Sequence, residues 1–252
     1  MRLTVVGCSG SFPGPTSAAS CYLVQAPHEG RTFSLVLDLG SGAFGPLQTH
    51  VGLFALDAVA LSHLHADHCL DLTACYVSRK YDRDPHPPLP VHGPRGTAER
   101  VARAYDLPPG QDMARQFTFL DWVPDQPRRI GPFTVTPVRV RHPVETFALR
   151  VDAGGRSLVY SGDTGPCAAL EALATGADVL LAEASFVESD DNPPDLHLTG
   201  LQAAVHAAGA RVGRLLLTHV PPWTDPAEVL GDAGRGYAGP VELVKAGAVY
   251  DI

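Results

Sequence analysis

Four side chains able to bind a metal fall within six residues, in the run Ser62-His63-Leu64-His65-Ala66-Asp67-His68. The run directly follows the short apolar stretch Ala58 to Leu61, which reads as a buried strand. Alternate residues leaving a strand point the same way, so His63 and His65 can converge on one point. Asp67 and His68 come as the chain turns into a helix, whose spacing is legible over Asp67 to Tyr81, and they face a second point. Imidazole mixed with carboxylate suits zinc, manganese or iron better than magnesium or calcium.

Further donors of the same chemistry stand just past other apolar runs. His142 follows Thr134 to Arg141, Asp163 follows Leu158 to Gly162, and His219 follows Leu215 to Thr218. Each alone reads equally well as a capping acid or a packed histidine. Together they predict loops gathered at one sheet edge, where a rigid scaffold can build a site. Strands are also expected at Leu3 to Val6, Cys21 to Val24, Ser34 to Asp38, Phe117 to Leu120, Phe133 to Val140, Ala148 to Val151, Val179 to Leu181, Val241 to Val244 and Ala248 to Tyr250. Helices are expected at Gly96 to Tyr105, Cys167 to Ala174 and Gly200 to Ala208, the last capped by Thr199, with Asp225 capping a short one. This order fits two mixed sheets flanked by helices.

A chain of 252 residues, 45% hydrophobic, has material for one sizeable core, and a single domain over 1–252 is expected. Its formal charge of −8 disfavours the backbone of nucleic acids unless cations cluster. The nearest to clusters, Arg128-Arg129 and Arg139/Arg141, read as solvated faces. Five cysteines without a Cys-x-x-Cys pair suggest reduced thiols, and no stretch approaches a membrane span or a signal peptide. A cytoplasmic protein without a membrane partner is the expectation.

His63-x-His65-x-Asp67-His68, then His142, Asp163 and His219 in that order, resemble the full motif series of the metallo-β-lactamase superfamily. The resemblance implies an α/β fold, the four-layer αββα sandwich. It implies that His63, His65 and His142 bind a first divalent metal ion, that Asp67, His68 and His219 bind a second, and that Asp163 bridges them. Zn2+ is the first expectation, with Mn2+ or Fe2+ as alternatives. Ser161-Gly162-Asp163-Thr164, Ala182-Glu183-Ala184-Ser185 and His197-Leu198-Thr199-Gly200 resemble the ribonuclease Z-like branch, in which the glutamate partners the extra histidine. That assigns catalytic roles to Asp67, Glu183 and His197, with Glu183 raising the pKa of His197 so that it can donate a proton.

The ribonuclease Z enzymes carry a basic N-terminal loop and a long RNA-gripping arm. Here Phe12 to Ser20 holds no Lys or Arg, and His142 to Asp163 leaves room only for two strands and a turn. The whole pattern is similar instead to short, actinobacterial-type, atypical class II cyclic-nucleotide phosphodiesterases, on Gly7 to Ser11, Leu61 to Asp71, His142-Pro143-x-Glu145-x-Phe147, Pro193 to His197 and Leu217 to Trp223. It departs from ordinary class II enzymes at Ala66, where they have Leu. The resemblance implies hydrolysis of a 3′,5′-cyclic nucleotide, cyclic AMP foremost, by a hydroxide shared between the metals. It also implies a small-molecule substrate rather than nucleic acid, and a homodimer. The alternatives are a ribonuclease Z-like endoribonuclease, a thioesterase or glyoxalase II-like hydrolase, and a non-catalytic binding protein. Phe12, Phe44, Phe186 and Trp223 lie near motif loops and are candidates to hold a base. Cys69, beside His68, reads as packing rather than as a ligand.

Overall fold

The computed structural model describes residues 1–252. The chain begins with β1 (Arg2–Ser9), the two-residue β2 (Ala18–Ala19), β3 (Cys21–His28) and β4 (Arg31–Leu37), then α1 (Phe44–Leu47) and β5 (Ala58–Ala60). Helices α2 (Ala66–Cys69) and α3 (Leu72–Tyr81), strand β6 (Leu89–Gly93), α4 (Thr97–Ala104) and β7 (Phe117–Asp121) follow. With the closing strand β15 (Val249–Asp251), these strands make the first sheet, in the order β15-β1-β3-β4-β5-β6-β7, β2 lying beside β1. The second sheet is built from β8 (Arg128–Ile130), β9 (Phe133–Arg139), β10 (Phe147–Ala153), β11 (Arg156–Tyr160), β12 (Val179–Glu183), β13 (Arg214–Thr218) and β14 (Val241–Leu243), paired in reverse chain order. Its helices are α5 (Ala168–Ala174), α6 (Gly200–Ala210) and α7 (Pro226–Ala233).

Alternation along the strands sorts side chains into layers. Leu3, Val5, Tyr22, Val24 and Leu35 of the first sheet pack between the sheets against Phe133, Val135, Leu149, Leu158 and Tyr160 of the second. The opposite face of the first sheet, with Leu23, Val36 and Val59, packs on Leu72, Cys75 and Tyr76 of α3 and Val101 of α4. The outer face of the second sheet, with Val159, Leu180 and Leu215, packs on Leu170, Ala203, Ala207 and Val229 of α5, α6 and α7. Two mixed sheets flanked by helices is the expected αββα sandwich.

The helix expected over Asp67 to Tyr81 is two helices. Tertiary bonds break it: Asp71 N–H donates to Leu39 O (3.1 Å), and the Asp71 carboxylate accepts from Phe44 N–H (2.8 Å). Strand β6 carries Pro90 and β8 is the short polar run Arg128–Ile130, which is why neither has a strand signal in the sequence. Thr199 does cap α6, in a capping box with Gln202: Gln202 N–H donates to Thr199 Oγ1, and Thr199 N–H to Gln202 Oε1, both at 3.1 Å. Asp225 caps α7 by accepting from Ala227 N–H (2.9 Å). No helix is long and apolar enough to cross a membrane.

Candidate metal centre

The strand-end donors meet. His63 follows β5, His142 follows β9, Asp163 follows β11, and His219 follows β13, so both sheets contribute to one edge. Gly162, just before Asp163, has a φ of +57°, and a Cβ there would lie 2.9 Å from Ser62 Cβ and 3.0 Å from Phe147 O. Only glycine permits that turn so close to the His63 strand.

Donor atoms of His63, His65, His142 and Asp163 lie within 4.8 Å of one another, as do those of Asp67, His68, Asp163 and His219. Asp163 belongs to both groups. Its Oδ2 is 3.6 Å from His63 Nε2 and its Oδ1 is 3.2 Å from His68 Nε2. All seven sequence-predicted ligands are therefore brought together, and in the two sets expected.

The far nitrogens of four of the five rings are spoken for. Ser62 Oγ gives its proton to Asp38 Oδ2 (2.7 Å) and so accepts from His63 Nδ1–H (3.0 Å). His68 Nδ1–H donates to Asp38 Oδ2 (2.7 Å), and His142 Nδ1–H donates to Leu196 O (2.9 Å). Ser185 Oγ donates to Glu183 Oε2 (2.8 Å) and accepts from His219 Nδ1–H (2.8 Å). Each bond leaves Nε2 as a lone pair turned inward, the tautomer a metal ligand needs. Inside, His63 Nε2 is 3.1 Å from His65 Nδ1, His65 Nδ1 is 3.3 Å from His142 Nε2, and His68 Nε2 is 3.1 Å from His219 Nε2. With Nδ1 of both His68 and His219 committed, their facing Nε2 atoms cannot both be bare lone pairs at 3.1 Å without a proton or a cation between them, and the buried Asp163 Oδ1 has no hydrogen-bond partner. These residues fit divalent metal ions.

Electrostatics agree. Burial lowers the pKa of His63 well below the ordinary histidine value, and lowers those of His65 and His142, which keeps their lone pairs free at neutral pH. Burial opposes the carboxylates of Asp67 and Asp163, but the surrounding histidines outweigh it and hold both below the usual range. His68 differs: burial opposes its charge, yet Asp163 and Asp38 raise its pKa well above the ordinary value, so a cation bound at its Nε2 would take the place of a proton.

Beside the nests stands His197, its ring 5.7 Å from that of His219 and 5.6 Å from that of His142. Its Nδ1 lies 2.9 Å and 3.1 Å from the two oxygens of Glu183, which is fully buried. Glu183 also accepts from Thr164 N–H (2.6 Å) and Ser185 Oγ (2.8 Å). One carboxylate thus ties together the neighbour of Asp163, the His219 ring and the His197 ring. Burial works against a charged His197, but Glu183 prevails and its pKa is pushed up to about 9.

Two residues missing from the sequence reading organise this centre. Asp38 accepts from Ser62 N–H (2.6 Å), Ser62 Oγ (2.7 Å), His68 Nδ1–H (2.7 Å) and Tyr160 OH (2.7 Å), so it orients a ring in each nest. Ser185 links His219 to Glu183. The available signal for Asp38 is an acid inside the apolar run Leu35-Val36-Leu37-Asp38-Leu39. Cys69 is buried with its Sγ directed at Leu64 O, which leaves it outside both nests.

Fold and centre together define a metallo-hydrolase, and the chain belongs to the β-lactamase superfamily: the Beta-lactamase superfamily domain matches residues 26–220. Its relatives narrow this to the ribonuclease Z-like branch. An uncharacterized protein of Mycobacterium leprae is 46% identical, the match covering 100% of this chain and 89% of that one. The probable metallo-hydrolase YhfI of Bacillus subtilis is 31% identical over 100% of both chains, and its crystal structure superposes with a TM-score of 0.87 over 99% of each. A ribonuclease Z of Mycobacterium avium is 33% identical, covering 96% of this chain and 95% of that one. The crystal structure of yeast PDE1 shares the fold at 13% identity, with a TM-score of 0.76 over 98% of each chain.

Proposed function

We propose that this chain is a dinuclear phosphodiesterase, loaded with zinc, that hydrolyses 3′,5′-cyclic nucleotides, cyclic AMP foremost, to nucleoside 5′-monophosphates. His63, His65 and His142 would hold one ion and Asp67, His68 and His219 the other, with Asp163 available to both groups. When bound, the ions supply Lewis acidity toward a phosphate oxygen and make water a nucleophile at neutral pH.

The observation that carries this reading is the Glu183-held His197 beside the nests. Its Nδ1 is committed to Glu183, so Nε2 is the nitrogen free to give a proton. Ribose O3′ leaves as an alkoxide, a far poorer leaving group than a thiolate, and needs that proton. As water adds to phosphorus and the bond to O3′ breaks, His197 Nε2 protonates O3′ and the 5′-ester remains in the product. Asp67, kept ionised, accepts a hydrogen bond from the attacking water and aligns it.

A small substrate is supported over a large RNA. A tight Gly154-Gly155 turn joins β10 to β11, leaving no arm between His142 and Asp163. Arg139 and Arg141 are paired with Glu145 (3.6 Å) and Asp195 (3.1 Å). The relatives named ribonuclease Z keep an endoribonuclease as the second reading.

Elemental analysis coupled to a product assay on cyclic AMP, cyclic GMP and a 2′,3′-cyclic phosphate tests the proposal. Metal-dependent release of a 5′-monophosphate is expected. Failure of the zinc-, manganese- and iron-loaded protein to turn over any cyclic nucleotide sinks it. Salt-sensitive binding and cleavage of RNA would support the second reading, and turnover of acyl-glutathione a thioesterase.

A further inference from the structure

Two large aromatic side chains stand uncovered beside the nests. Phe12 is 41% exposed and Trp223 is 70% exposed, and their rings meet at 5.0 Å between centroids, tilted by 40°. Each hangs from a loop that also builds the centre. Trp223 comes four residues after His219. Phe12 follows Ser11, whose backbone N–H points at His219 Nε2 across 3.5 Å.

The two loops are fastened to each other through the backbone. Ser9 bridges Val220, Gly10 N–H donates to Val220 O (3.1 Å), and Phe12 N–H donates to Gly10 O (2.7 Å). A Cβ at Gly10 would lie 2.2 Å from His219 O, so only glycine lets the loops close this tightly. Pro13, Pro15, Pro221 and Pro222 restrict the rest. The distance from the aromatic pair to the metal nests is therefore set by the fold.

The other aromatic candidates have different occupations. Phe44 is buried in the core under α3. Phe186 stands edge-on to the His197 ring at 5.1 Å and backs it. Folding makes no comparable use of Trp223, which leaves most of its surface in water. The chemistry around the pair is also informative. Residues 9–20 and 220–224 contain no Lys or Arg, and Asp225 follows. These two loops bring no cation of their own to a polyanionic strand, Lys245 being the only cation lining the hollow between them, whereas they can hold a flat, uncharged ring.

Building on the phosphodiesterase reading above, we infer that the Trp223 indole, backed by Phe12, is the platform on which the substrate's nucleobase stacks while its phosphate lies over the nests. Stacking reads ring area rather than hydrogen-bond pattern, because every base has a π-face. Such a platform prefers a purine to a pyrimidine.

The test compares the metal-loaded protein with its Trp223→Ala and Phe12→Ala variants on cyclic AMP and on a base-free analogue, methyl riboside 3′,5′-cyclic phosphate, followed by 31P NMR. Trp223→Ala is expected to raise KM for cyclic AMP about tenfold or more, and to collapse the preference in kcat/KM for cyclic AMP over the base-free diester. Trp223→Phe restores most of it. Independently of turnover, adenosine 5′-monophosphate quenches tryptophan fluorescence in the unaltered protein and not in Trp223→Ala. The only other tryptophan, Trp122, is 3% exposed and stays silent. If cyclic AMP is hydrolysed but neither variant changes KM, the platform is overturned while the phosphodiesterase reading stands. If the variants instead change the sedimentation of the protein with KM intact, the pair is a contact between copies of the chain, and the inference is equally overturned. If the unaltered protein hydrolyses no diester, the functional reading fails first, and fluorescence still decides whether a base sits on Trp223.

Discussion

His197 Nδ1 rests 2.9 Å from Glu183 Oε1, and that carboxylate has no exposure to water. In the proposed mechanism this pairing makes His197 the proton donor, and its removal is expected to leave metal binding intact. His197→Ala should retain its metal content by elemental analysis and lose about 10²–10⁴ in kcat. Unchanged turnover in His197→Ala would remove this residue from the mechanism. The sign of the linked pH effect is also fixed. In the metal-free protein the pKa of His197 is raised from 6.5 to about 9. The stability it contributes is complete below 6.5 and disappears as pH rises through about 9. The difference in unfolding midpoint between the unaltered protein and His197→Gln should follow that course.

Removing a ligand behaves differently. Asp163→Ala or His65→Ala should lose metal and nearly all activity together. Asp163 is shared by both groups of donors, so its loss should empty both nests, whereas His65→Ala should spare the Asp67, His68 and His219 group. Metal-to-protein ratios after dialysis distinguish the two patterns.

Asp38→Asn tests the support beneath the ligands. Four hydrogen bonds converge on this buried carboxylate, and an amide cannot accept them all. We expect a loss of about 2–4 kcal/mol in stability by denaturant unfolding, with roughly 10- to 100-fold weaker metal binding by competition with a chelator. Asparagine tolerates the φ of +55° at this position, so backbone strain is not the cause of the loss.

His92 supplies a pH effect away from the centre. Its ring stacks on Trp122 at 5.2 Å and accepts from Arg128 Nη1 (3.4 Å). Burial, aided by the Arg128 charge, lowers its pKa to about 4. A histidine depressed in the folded state stabilises above 6.5, and that contribution is lost as pH falls through about 4. His92→Gln should flatten the difference between pH 7 and pH 4 by an amount on the order of 2–3 kcal/mol, measured as the change in denaturation midpoint.

The candidate ligands were legible because metal binding demands particular side chains, and most of those side chains stand just past apolar strands. His197 and Glu183 were legible only through their motif resemblance, since nothing in residues 183–197 announces a contact between them. Asp38, Ser62 and Tyr160 form one network across separations of 24 and 122 residues, and no local pattern encodes such a meeting. The break between α2 and α3 was hidden for the same reason. Helical spacing continues through Asp71, while its competing partners, Leu39 and Phe44, lie a full strand and turn upstream.

The donors do not all hang from the same half of the sandwich. His63 and His65 come from the turn after β5 and Asp67 and His68 from α2, all on the side of the first sheet, and His142, Asp163 and His219 from the second. Any ion seated among them rivets one half to the other. Chelation should therefore soften the whole body at that seam as well as silencing the enzyme, and heat resistance should track free metal concentration by mass action.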